Sequence, residues 1–244
     1  MQRSNTYILI YTLILTVVCG VSLAVAKMAL KPAQETQIEL QRKKNILSTF
    51  MTLKEGDNAE TIYKQRVKEF VINFKGEKLG NVSAASINVE KEFKKPVEER
   101  QLPVYEISSE ADTSKTEFYV IPTFGKGLWD VISSYISIKS DGVTINGVNF
   151  NHKAETPGLG ARIKDDEAIY SRYKGKKLFE AGKPVGVEMQ KGEGNNYDSD
   201  PHKIDGMSGA TLTGKGVNAM VKEYTNAYAN FLLNVQKQQS TATN

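Results

Sequence analysis

Asp205-Gly206-Met207-Ser208-Gly209-Ala210-Thr211-Leu212-Thr213, continued by Gly214-Lys215-Gly216, gathers small residues, three hydroxyls and one acid ahead of a long apolar-periodic stretch. Gly206 and Gly209 allow a sharp turn and a close approach by a ligand. Behind them Val217, Met220, Val221, Tyr224, Tyr228, Phe231, Leu232 and Val235 line one face of a helix. Ser208, Thr211 and Thr213 therefore fall at or near a helix N-terminus, where unpaired N–H groups and the dipole favour an anion. Gly209 to Lys215 also spells the body of a nucleotide-binding P-loop. Gly216 stands where Mg²⁺ would need a Ser or Thr, and His202 to Asp205 does not read as the buried strand such a loop leaves. The plain alternative is a helix start after a glycine-rich turn.

Upstream of this stretch the sequence reads as strands. Val104 to Ser108 and Glu117 to Pro122 are β-rich and bounded by turn residues. Val131 to Ile138 is a third strand, and Ser140-Asp141-Gly142 is a hairpin signal behind it. The return strand, Val143 to Phe150, shifts phase at Gly147, which predicts a bulge. Asp165 to Tyr173 reads as a short helix, Val185 to Gln190 as a further strand, and 192–201 as a loop. The pattern predicts an α+β fold, an antiparallel sheet closed by a long C-terminal helix.

Near the other terminus, Tyr7 to Ala26 carries no charge. Its twenty residues, at about 1.5 Å each, span about 30 Å, the hydrocarbon thickness of a bilayer. The run is longer than the apolar core of a secretory signal and has only Arg3 ahead of it, so a retained transmembrane helix is expected. Lys27 and Lys31 follow the run, and charge alone does not orient it. Glu35 to Phe50 reads as a polar helical stalk. Asp57-Asn58-Ala59-Glu60 resembles a capping box that opens a second helix carrying Tyr63, Val67, Phe70, Val71 and Phe74. The expected organisation is an N-terminal segment over 1–30 with the span at 7–26, a helical stalk and accessory region over 31–100, a globular domain over 101–236, and a disordered tail over 237–244.

The net charge of +4 is spread among interleaved acids and bases, as in Glu90-Lys91-Glu92, which argues against a nucleic-acid surface. A single cysteine, Cys19, excludes a disulfide or a Cys-built metal site within one chain. His152 and His202 are too few for a metal site and read as polar surface positions. Two further motifs stand out, the first of them a turn. Glu155-Thr156-Pro157-Gly158-Leu159-Gly160 exposes Leu159 between glycines. Phe124-Gly125-Lys126-Gly127-Leu128-Trp129 holds the only tryptophan, with glycines that let a flat ring approach and a lysine that could meet a phosphate. On its own, Trp129 reads as a core residue.

The run Asp205-Gly206-Met207-Ser208-Gly209-Ala210-Thr211 resembles the acceptor motif on which bacterial flavin transferases place FMN, through a phosphodiester to the threonine after Ala210. With G-K-G-L-W and E-T-P-G-L-G ahead of it, the chain resembles the C subunit of the Na⁺-translocating NADH:quinone reductases over nearly its full length. The resemblance implies a bacterial inner-membrane protein with one span and an extracytoplasmic FMN-binding domain. It implies covalent FMN on Thr211, with Thr213 as the fallback, and Asp205 and Ser208 as recognition elements for the transferase. It places Gly209, Ala210, Lys126, Trp129, Glu155, Thr156, Gly158, Leu159 and Gly160 around the cofactor. It further implies electron relay among the other subunits of a complex that couples NADH oxidation and quinone reduction to Na⁺ export. No NADH site and no complete active site are visible in this chain alone. The G subunit of Rnf-type ferredoxin:NAD⁺ complexes shares E-T-P-G-L-G and S-G-A-T. A membrane-anchored flavin-binding protein without a catalytic role is the other alternative.

Overall fold

A computed structural model describes residues 4–242, so Arg3, Thr243 and Asn244 lie outside the described residues. Two compact units divide at Lys43 and Lys44. The first holds helix α1, Asn5–Leu47, as far as Lys43, and the helix runs through Pro32 without interruption. It is the one described helix long and apolar enough to cross a membrane, and Cys19 is exposed on it.

The second unit holds the sheet. Helix α2, Ala59–Arg66, is capped by Asn58, whose Oδ1 accepts the N–H groups of Glu60 and Thr61 at 3.1 Å each. The chain then leaves the helix, contrary to the expectation that helix continues to Phe74. Val67–Ile72 is strand β1, antiparallel to strand β2, Leu102–Ser108. Apolar residues at 63, 67, 70 and 71 fit a helix face, but Val67-Lys68-Glu69-Phe70-Val71-Ile72 also has strand composition. Pairing with β2 decides between the two. A short helix α3, Val89–Phe93, sits between them in sequence.

Strand β3, Thr116–Lys126, pairs with β4, Val131–Lys139, which pairs with β5, Ile145–His152, completing an antiparallel meander in the order β1-β2-β3-β4-β5. The bulge expected at Gly147 is present, because Ser137 faces Gly147 while Ile138 faces Ile145. A side chain at Gly147 would also strike the backbone of Thr49, so glycine there admits the segment after α1. Asn149 Nδ2 donates to Ser48 Oγ nearby, at 3.1 Å. The stretch 44–72 thus belongs to the globular unit, where it supplies an edge strand and covers one face of the sheet.

Helices α4, Arg162–Asp165, and α5, Glu167–Tyr173, follow β5 and cover its other side. Three short pieces come next, β6 at Phe179–Glu180, β7 at Lys183–Pro184 and β8 at Glu188–Met189. Of the strand expected over 185–190, only β8 forms, and it runs parallel to β9, Lys203–Ile204. A two-residue strand therefore does precede the glycine-rich stretch.

The C-terminal helix is broken once, into α6, Thr211–Ala227, and α7, Ala229–Ala242, with Tyr228 between them. Tyr228 is fully buried and its hydroxyl donates to the Pro103 carbonyl at 2.7 Å, which fixes the break against β2. Residues 237–242, expected as a disordered tail from their polarity, continue α7 as helix. Val217, Met220, Val221 and Tyr224 of α6 are buried in one core with Val104, Ile121, Ile136 and Phe150 of the sheet. Gly125 lets Met220 sit directly on β3.

Candidate functional site

The site is built where α6 begins. A Cβ on Gly206 would collide with the carbonyl oxygens of Gln190 and Gly192, so glycine lets that loop lie against the turn. Gly209 has φ +74°, and the Leu159 side chain fills the space its own would need. Ala210, the residue before the helix, supplies no capping side chain. The first backbone bond of α6 runs from Gly214 N–H to the Ala210 carbonyl, at 2.9 Å. The N–H groups of Thr211, Leu212 and Thr213 have no acceptor among the described residues. Thr211 is half-buried, beside three free donors, a composition that fits a phosphate ester.

Glu155 joins the motifs. Its side chain is buried, with the residue 4 % exposed. Oε1 accepts the Trp129 N–H at 3.0 Å, and Oε2 accepts the Thr213 hydroxyl at 2.5 Å. The neighbouring Leu128 and Asp130 N–H groups also favour its charged form. Burial pushes its pKa up, but these donors outweigh burial and hold it below the ordinary value. Gly127 and Gly160 pack so closely on the carboxylate that a Cβ on either would overlap it. Glu155 faces the protein interior, as the tie between the turns. Thr213 is 1 % exposed, and its hydroxyl is committed to Glu155. A Cβ on Gly216 would overlap the Lys126 carbonyl, so α6 abuts the end of β3, while the Lys126 side chain is exposed.

Trp129 overturns its reading as core, because it is 69 % exposed. The turn between β3 and β4 carries it outward, and its Nε1–H donates to Thr156 Oγ1 at 3.0 Å. Leu128, Leu159 and Leu212 are exposed as well. Outside the N-terminal helix these four are the exposed large hydrophobic residues of the described chain, and they come from the three turns that meet at α6. An exposed apolar group of this kind marks a contact with a ligand or a partner. Gly158 has φ +75°, which the turn before Leu159 requires. His152 Nδ1 accepts the Glu155 N–H at 3.3 Å, His202 Nδ1 lies 2.8 Å from the Lys177 carbonyl, and no cluster fit for a metal occurs among the described residues.

Three residues of the site carry no signal in sequence. Glu193 Oε2 accepts the Ser208 N–H at 3.1 Å, and the same carboxylate takes both Arg162 Nη atoms, at 2.9 and 2.7 Å. Arg172 donates to the Gly206 carbonyl at 2.6 Å. Asp205 is buried and turned toward the same loop, where Oδ2 accepts the Gly194 N–H at 2.7 Å. Burial raises the Asp205 pKa, but the Gly194 and Asn195 donors bring it below the usual value. Glycines at 192 and 194, both with positive φ on either side of Glu193, are the one hint of this loop in the sequence.

The Glu193–Arg162 pair is expected to titrate. Hydrogen bonds from Arg162, then from the Ser208 N–H, lower the Glu193 pKa from 4.5 to about 2. A carboxylate with a depressed folded pKa contributes stability that is complete above the unfolded value and is lost as pH falls through the folded one. The protection factor of the Ser208 amide against exchange should therefore be highest above pH 4.5 and fall toward about pH 2. In Glu193→Gln protection should be low throughout, and a protection factor unchanged by that substitution would refute the role of this pair.

Residues 127–226, which carry the turns and most of α6, match the FMN-binding domain family. The C subunit of the Na⁺-translocating NADH-quinone reductase of Haemophilus ducreyi is 30% identical over 236 residues, 90% of each chain. The same subunit from Pasteurella multocida is 31% identical, over 88% of this chain and 87% of its own. The crystal structure of the Parabacteroides distasonis C subunit superposes with a TM-score of 0.72 at 32% identity, covering 83% of this chain and 96% of that one. The chain belongs to the family of C subunits of the Na⁺-translocating NADH-quinone reductases.

Proposed function

We propose that this chain is the electron-carrying subunit of such a reductase and holds FMN through a phosphodiester on Thr211. The observation that carries the attachment is the contrast between the two threonines of the turn. Thr211 is half-buried beside free N–H groups, whereas Thr213 is enclosed and its hydroxyl is donated to Glu155. Bound FMN supplies the one-electron chemistry. The residues of this chain do the rest. The α6 N-terminus faces the phosphate with unpaired donors. Leu159 and Trp129 offer apolar surface to a flat ring, and the Trp129 indole is oriented by Thr156. Glu155 keeps the three turns in register.

In this reading a flavin transferase attaches the cofactor, and Ser208 on the exposed turn meets that enzyme. Asp205 acts through the loop it anchors at Gly194, which shapes the surface the transferase reads. The helix over 7–26 is a single-pass anchor in the bacterial inner membrane, with the domain on the extracytoplasmic side. Electrons pass between this subunit and the other subunits of the complex, which oxidise NADH, reduce quinone and export Na⁺. In its outer limits the proposed organisation is an anchor ahead of an FMN-binding domain.

Intact-mass spectrometry tests the attachment. The purified chain should carry the mass of FMN less one water, and the flavin should fluoresce in a denaturing gel. Protease added to intact spheroplasts should cleave the domain. A chain of unmodified mass from a host that expresses the transferase would overturn the attachment, and a protected domain would overturn its side.

A further inference from the structure

We propose that the cleft beside Thr211 is an anion seat, in which Lys191 and Lys215 hold the phosphate of the group carried on that threonine. This rests on Thr211 being the attachment point. The cleft has a volume of about 190 Å³ and is lined by both lysines and by Thr211 itself. On α6, Thr211, Gly214, Lys215 and Asn218 follow at i, i+3, i+4 and i+7, so all four face it. Lys191 arrives from the opposite wall, on the loop that Gly206 allows to approach.

The cleft is preformed. Asn218 grips Met189 from both sides, with Oδ1 accepting its N–H at 2.7 Å and Nδ2 donating to its carbonyl at 2.8 Å. Gly214 admits the Met189 sulfur, which a Cβ there would meet at 3.3 Å. Neither lysine ammonium has an ion-pair partner among the described residues. Glu188 is the one acid on the lining, so two positive charges face one negative. A phosphodiester on Thr211 adds the negative charge that balances them.

The geometry also separates the two halves of a flavin nucleotide. The stripe through 211, 214, 215 and 218 looks into the cationic cleft. Gly209 touches Leu159, and Thr213 reaches Glu155, on other sides of the same turn. Charge is drawn to one side of Thr211, and the apolar residues stand on the other. The lysines are positioning residues, which fix the tether and so the direction in which the ring leaves it.

The test uses the full-length flavin-loaded protein and its Lys191→Gln, Lys215→Gln, double Gln and double Arg variants. Phosphodiesterase is added, and release of flavin is followed by fluorescence. Two partly exposed ion pairs together correspond to about a fivefold change, so the double Gln variant should release flavin about fivefold faster than wild type. The double Arg variant should release it at the wild-type rate. Salt at about 1 M, which screens exposed charges, should move wild type toward the double Gln rate. The ³¹P resonance of the phosphodiester should shift in the double Gln variant. If its loading falls, the single variants carry the comparison. Equal release rates and an unshifted resonance would overturn the seat while leaving attachment at Thr211 intact. A wild-type chain without covalent flavin would overturn the attachment, and the seat with it.

Discussion

Thr211→Ala should abolish covalent flavin completely, while Thr213→Ala should keep it and lose stability. The two residues stand in the same turn of α6, yet their surroundings separate the outcomes. Thr211 takes no part in a side-chain hydrogen bond among the described residues and is half-buried at the helix start, so its loss should change stability by less than about 0.5 kcal/mol. Thr213 gives its hydroxyl to the buried Glu155 carboxylate at 2.5 Å. Removing a hydrogen bond to a charged group costs about 2 kcal/mol. In a domain of this size that is a fall of about 6 °C in melting temperature. In-gel flavin fluorescence and thermal melts of the two variants, expressed with the transferase, make the comparison. Flavin retained in Thr211→Ala, or lost in Thr213→Ala with the fold preserved, would refute the choice of acceptor.

The parts of this protein that are legible in its sequence are those set by neighbours in the chain. Strands β3 and β4 and the hairpin at Ser140-Asp141-Gly142 follow from alternation and turn chemistry, and the bulge at Gly147 from a change of phase. Helix α6 follows from its apolar spacing. Strand β1 is not legible, because Val67 to Ile72 satisfies a helical face as well as a strand, and only its partner β2 chooses. The exposure of Trp129 is hidden too, because a lone tryptophan has the composition of a core and nothing local says that its turn projects outward. Each of the three turns is visible as a pattern of glycines. What joins them is not. Glu155 and Thr213 are 58 residues apart, and Arg162 and Glu193 are 31 apart. Pairing over such distances is decided by the fold, and Gly127, Gly160 and Gly216 show it only once their missing side chains can be placed against other residues.

Glu155→Ala should be the most damaging single change outside the hydrophobic core, and it should act on the site as a unit. It strands the Thr213 hydroxyl and the Trp129 N–H, both bonded to this one buried carboxylate, and removes the negative charge beside the Leu128 and Asp130 N–H groups. Buried donors without an acceptor cost about 1–3 kcal/mol each. Water entering the vacated space relieves part of this, so a total of about 4 kcal/mol is expected, near the upper end for a point mutation. The melting temperature should fall by about 12 °C. Glu155→Gln keeps the shape and one acceptor oxygen but turns the other into a donor facing Thr213 or Trp129, so it should recover about half the loss. The sole tryptophan reports on the turn directly, since freeing the Trp129 backbone from Oε1 should raise its mobility and lower its fluorescence anisotropy. There is also a pH signature. The folded Glu155 pKa lies below 4.5, so its contribution is complete above that value and is lost as pH falls below it. The acid limb of the stability profile should therefore be shallower in Glu155→Gln than in wild type. A melting temperature within about 2 °C of wild type in Glu155→Ala, with unchanged Trp129 anisotropy, would mean that the turns are held together by something other than this carboxylate.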